Sequence, residues 1–167
     1  VHMPAHIYMR TGDYHGAARA NLAAVDADRV YLRLPHAAGV YPALYYTHNL
    51  HFLTAALGMA GESAGAERTA ATLAAQVRTL DVVGPMAPLA EYFVPTALFV
   101  ALRFQRWDAL TKVPAPDARL PGAIALWHFA RGVAYTKTGA GERAAAEHAA
   151  FDATRRTIPA DAIYNLN

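Results

Sequence analysis

Tyr8-Met9-Arg10-Thr11-Gly12-Asp13-Tyr14-His15-Gly16-Ala17 reads as the end of one helix, a glycine turn and the start of a second helix. It returns near the end of the chain as Tyr135-Thr136-Lys137-Thr138-Gly139-Ala140-Gly141-Glu142-Arg143-Ala144. Between them, Leu57-Gly58-Met59-Ala60-Gly61-Glu62-Ser63-Ala64-Gly65-Ala66 keeps the pattern, and Leu102-Arg103-Phe104-Gln105-Arg106-Trp107-Asp108-Ala109-Leu110 is a degenerate copy with Gln105 in the glycine's place. Such self-similarity marks a chain built from a recurring helix-turn-helix unit. A single unit cannot bury both of its faces, so neighbours stack.

Composition points the same way. Ala, Leu and Arg dominate, Val and Ile are sparse, and no alternating apolar/polar run persists, so the expected class is all-α. At 167 residues the chain fits one compact domain or a short repeat array. Thirteen acidic residues interspersed among 15 basic ones leave a net charge of +2 and no single-sign block, which argues against a nucleic-acid or membrane surface. The absence of cysteine excludes disulfides, thiolate metal sites and cysteine nucleophiles. No apolar run reaches the ~18 residues that span a bilayer, and no basic-then-apolar leader opens the chain, so it reads as soluble. The abrupt opening at Val1, already within what reads as a helix, suggests a fragment or processed form, and His2-Met3 could be a cloning remnant.

On these turns and their flanking small and aromatic residues, the sequence resembles the tetratricopeptide repeat (TPR) family, whose unit is a helix-turn-helix of ~34 residues. With the turn glycine as the unit's fifteenth position, Gly132, Tyr135, Gly139 and Ala144 of the last copy match family positions. In the first copy Ala5, Tyr8, Gly12, Tyr14, Ala17 and Ala24 do so. More narrowly, His2-Met3-Pro4-Ala5-His6 and His48-Asn49-Leu50-His51 resemble a bacterial group of TPR-containing proteins, a likeness that carries no activity but implies further helices upstream. The resemblance implies a TPR-like α-solenoid of about four units within a single domain over 1–167. These are roughly 1–31, 45–79, 89–113 and 121–157, the third degenerate. The unequal turn spacing is assigned to insertions at Arg33 to Ala43, Asp81 to Pro88 and Val113 to Pro121, all Pro- or Gly-bearing. The tail from Arg155, with Pro159 starting or interrupting its last turn, is expected to cap or extend the array. The compartment implied is a bacterial cytoplasm or periplasm.

In the family, the second, fifth, ninth, twelfth and thirteenth positions of the first helix of each unit line a concave groove. Carried over residue by residue, the first copy places His2, His6, Met9 and Arg10 there, and the second places His48, His51, Ala55, Gly58 and Met59. His2 and His6 are spaced i, i+4 and His48 and His51 i, i+3, so each pair shares a helix face. Adjacent helices ~8 to 10 Å apart would bring the pairs within range of one ligand. Imidazole donors alone suit a transition metal, with copper or zinc favoured and iron possible in an enzyme. The bland alternative is interhelical hydrogen bonding with Tyr8, Tyr45 or Tyr46. The spacing is not that of a His-Glu-x-x-His metalloprotease helix.

The remaining polar groups have weaker claims. Glu91 and Tyr92 stand at the groove-facing start of the third unit, and Arg10, Arg103 and Lys137 form a sparse ladder that suits an anion or a peptide carboxylate, or a solvated surface. TPR carboxylate clamps carry Lys and Asn where this chain has His2 and His6, so that mode of chaperone-tail binding is not implied. His148 is expected to pack within its unit, His15 to follow a turn, His128 to lie beside Trp127, and His36 to sit in a loop that folds across the groove. Three readings follow. One is a scaffold that holds a protein or peptide segment in its groove, and a second is a metal-dependent enzyme using His6, His48 and His51, with His2 as a further ligand. A third has the groove filled by helices upstream of Val1.

Overall fold

The computed structural model describes residues 1–35, 41–80 and 87–162; these are helices and their connections, with no strand among the described residues. His36, with 36–40 of the insertion expected at Arg33 to Ala43 and 81–86 of that expected at Asp81 to Pro88, lies outside them. No described helix is long and apolar enough to cross a membrane. The chain divides into two compact units, Val1–Thr79 and Leu80–Asn167.

In the first unit, α1 (Pro4–Thr11) begins where Pro4 costs nothing, because the first helical N–H groups have no partner to lose. Gly12 ends it in the left-handed region, and the Asp13 carboxylate then accepts from the Gly16 N–H at 2.7 Å to start α2 (Tyr14–Tyr31). A π-helical turn over Tyr41–Tyr46 runs directly into α3 (Thr47–Met59), and α4 (Ser63–Val77) follows. Successive helices pack on one another, α1 on α2, α2 on α3 and α3 on α4. Their contacts are made largely by small residues: Ala5, Ala17, Ala56 and Ala66 are wholly buried, and Val25, Leu50 and Leu73 fill the spaces between.

The turns carry the repeat in their backbone. Gly12, Gly61 and Gly139 have φ of 82°, 82° and 77°, and Gln105 joins them at 55°. After the last three, the next residue donates to the carbonyl five residues back: Glu62 to Leu57 at 2.9 Å, Arg106 to Ala101 at 2.8 Å and Ala140 to Tyr135 at 2.9 Å. This is the bond that satisfies a helix's last carbonyls when the following residue turns left-handed. The degenerate copy therefore makes the same turn without the glycine.

The second unit contains α5 (Ala87–Phe93), α6 (Thr96–Arg103), α7 (Trp107–Lys112), α8 (Pro121–Lys137) and α9 (Gly141–Arg155). The third repeat was expected to open on one helix, but it opens on two. Pro95, buried and lacking an N–H, breaks the helix, and the Thr96 hydroxyl donates to the Phe93 carbonyl at 2.7 Å beside the break. The core gathers Leu98, Leu110, Ala130 and Ala134 under Trp107, Val113 and Trp127. α9 lies close on α8 at Gly132, where a methyl would meet the Glu147 Cβ at 3.5 Å, an ordinary contact that the packing would admit. No residue of α9 is fully buried. Its hold on α8 is polar: Glu147 accepts from Arg131 Nε at 2.7 Å and meets His128 Nδ1 at 2.7 Å. Arg131 also lies over the Trp127 ring and donates to the Thr111 carbonyl. His128 thus lies beside Trp127 as expected, at 4.7 Å between rings. His148 does not pack; it is exposed, 3.9 Å from Asp152, on the outer side of α9. The tail after Arg155 turns rather than forming a further helix up to Ala162, and Pro159 lies beyond α9.

Candidate metal centre

Three of the four expected histidines converge, all in the first unit. His2 lies just before α1, His6 one turn into it, and His48 at the start of α3. His2 Nε2 is 2.8 Å from His6 Nε2 and 3.0 Å from His48 Nε2, and the three ligand atoms lie within 4.8 Å of one another. Phe52, one turn beyond His48, sets its ring against all three imidazoles at 4.5 to 5.9 Å between centroids. It supplies an apolar wall that limits water at the cluster.

The fourth position of the cluster is not His51. At ~100° per residue, His51 is turned about 60° from His48 one way and Phe52 about 40° the other, so Phe52 takes the side facing α1. His51 lies near enough to His48 to act on its charge, but it is not among the converging nitrogens. Of the four expected histidines, three are thus brought together, and they include His2, the residue that Pro4 places ahead of the helix.

Hydrogen bonding fixes the hydrogens of His2. Asn21, wholly buried in α2, donates from Nδ2 to the Ala17 carbonyl at 3.1 Å, which leaves its Oδ1 facing His2 Nδ1 at 2.7 Å. His2 must then donate from Nδ1 and present a lone pair at Nε2. Two neighbouring Nε2 atoms point at that single lone pair. A cation sharing the lone pairs of all three rings resolves this arrangement, whereas hydrogen bonds alone make two donors share one acceptor.

Burial also favours the neutral form of His6, His48 and His51. Burial, reinforced by His2, His6 and His51, pushes the His48 pKa down to about 4. Burial also lowers His6, with His2 and Arg10 adding to it, and burial lowers His51. Neutral imidazole is the ligating species, so none of these shifts opposes an ion at neutral pH.

A second polar knot positions α3. Asp28, buried in α2, accepts from Tyr41 Oη at 2.7 Å and from Asn49 Nδ2 at 2.8 Å. Its bond raises the Tyr41 pKa to about 12. Tyr41 opens the π-helical turn and Asn49 follows His48, so Asp28 grips the segment on both sides of His48.

The other expected site residues are dispersed. Tyr46 is core rather than groove, only 7 % exposed, because the π-helical turn rotates it inward, while Tyr45 faces solvent. Glu91 is directed to the start of α8, accepting from Gly122 N at 2.5 Å and Ala123 N at 3.3 Å, where a carboxylate suits the helix dipole. Tyr92 lies against Phe93. Arg10, Arg103 and Lys137 each stand in the last turn of their helix, which the same dipole explains. Met9 is half-buried and Met59 exposed, and neither belongs to the histidine group. His15 is exposed and meets Glu62 at 3.1 Å.

Sequence reading missed Asn21, Phe52 and Asp28. A lone Asn inside an Ala-rich helix was the one available signal, since a carboxamide competes with the helix backbone and is disfavoured there. No protein-family model, curated protein or solved structure matches the chain.

Proposed function

We propose that the chain is a TPR-like helical-repeat module that binds one transition-metal ion through His2, His6 and His48. The observation that carries this reading is the meeting of three Nε2 atoms from two separate helical segments. Metal–nitrogen bonds of ~2.0–2.1 Å in a tetrahedral set place ligand nitrogens ~3.3–3.4 Å apart. The two short contacts are a few tenths of an ångström tighter, a gap that small side-chain torsions close. Three neutral nitrogens without thiolate or carboxylate favour copper or zinc. They also leave a coordination position open, which is the feature of a site that binds or activates a further ligand. That position supports either a partner's side chain held on a repeat surface or metal-assisted chemistry on water or dioxygen.

Calorimetric titration of chelator-treated protein with zinc and copper tests the reading. The amino terminus is acetylated so that its amine does not ligate. One site per chain that disappears in His6→Ala and His48→Ala supports it; no saturable binding near neutral pH overturns it.

A further inference from the structure

We propose that Asn21 is the positioning residue of the metal site: its carboxamide locks His2 in the tautomer that presents the Nε2 lone pair to the ion. This rests on the metal reading above and adds a residue that never touches the ion. Asn21 has no exposed surface and sits amid alanines, where an apolar residue would favour both helix and core. Both ends of its amide are nevertheless paired. The Ala17 carbonyl can only accept, so it fixes Nδ2, and a flipped amide would set Oδ1 against that carbonyl. Oδ1 is thereby committed to His2 Nδ1, and the proton on His2 is committed to Nδ1.

The other two ligands lack such a partner. Among the described residues, no hydrogen bond is made by the Nδ1 of His6 or of His48, so those rings can move their proton from Nε2 to Nδ1 when an ion arrives. His2 alone is ready in advance. Ligating histidines are held this way by a carbonyl or carboxylate on the far nitrogen, and removing that partner costs about 10- to 100-fold in metal affinity.

The test compares wild type with Asn21→Ala, Asn21→Leu and Asn21→Asp, titrated with zinc and with cobalt(II), whose absorption bands report the coordination geometry. Asn21→Ala and Asn21→Leu are expected to weaken binding about 10- to 100-fold. Asn21→Asp is expected to bind at least as tightly as wild type, because a carboxylate accepts the Nδ1 proton more strongly. That same substitution sets a second carboxylate oxygen, with no proton to donate, against the buried Ala17 carbonyl, so its metal-free thermal midpoint falls below that of Asn21→Leu. A merely structural role predicts that affinity follows stability; here the two orders are opposite. Imidazole nitrogen NMR of metal-free protein gives an independent reading: His2 protonated at Nδ1 in wild type, and a tautomer mixture in Asn21→Leu. The proposal is overturned if wild type binds metal while Asn21→Leu stays within about threefold of it. It is likewise overturned if the His2 tautomer is the same in both proteins. A wild type that binds no ion overturns the metal reading itself, and this proposal with it.

Discussion

His2 Nε2 and His48 Nε2 stand 3.0 Å apart although they are 46 positions apart in sequence, and they belong to segments that both pack on the same helix, α2. That approach joins the beginning of the first hairpin to the beginning of the second. The first prediction follows from it. His48→Ala should reduce metal affinity by more than the ~10- to 100-fold expected of an outer partner, while His51→Ala should leave it nearly unchanged. Isothermal titration of both variants decides the matter, and equal losses would restore His51 as a ligand.

Acid should destabilise the metal-free protein before it protonates most carboxylates. His48 has a folded pKa of about 4 against 6.5 for a free imidazole, so between those values the unfolded chain binds more protons than the folded one. Stability from this group is complete above pH 6.5 and is lost as pH falls towards 4. His6 and His51, also lowered, act in the same direction. Urea titrations across this window should show the midpoint falling with pH, and His48→Gln should flatten the slope.

Gln105 holds a left-handed φ of 55° in a turn that three glycines make elsewhere. Gln105→Gly should stabilise the second unit by about 0.5–1 kcal/mol, the left-handed cost to a side chain less the entropy glycine adds to the unfolded chain. Gly139→Ala should cost a similar amount. Thermal melts of both test the pair, and a destabilising Gln105→Gly would refute the turn equivalence.

Glu147 is the polar anchor of α9. Glu147→Ala leaves Arg131 and His128 half-buried without their carboxylate, and breaking a buried pair in this way costs about 3–5 kcal/mol at most. The loss should concentrate in α9, seen as faster amide exchange over Gly141–Arg155 than over α8. Uniform destabilisation of the unit would count against this account.

The all-helical class and the turns were legible because glycine recurs where the backbone must turn left-handed, and the pattern survives the substitution at Gln105. His2, His6 and His48 were legible because i, i+4 spacing and repeat register put them on one face. That His51 stands apart from the group was not legible, because i, i+3 spacing also counts as one face, and only the rotation of α3 against α1 separates 60° from 40°. The broken third helix was written in Pro95, a residue that removes a donor and ends a helix before it. Asn21 and Asp28 were not legible as site residues, since their partners stand on other helices and no local spacing ties them together.

α1 is two turns long, and only one of its residues is fully buried. Little burial holds it, so its local opening should cost far less than global unfolding. An ion gripped by His2, His6 and His48 binds only while α1 is docked, and at a hundredfold excess over its dissociation constant it adds about 2.7 kcal/mol to that closed state. Opening of α1 would then be governed by metal supply, the helix acting as a latch whose closed fraction reads the concentration of the ion.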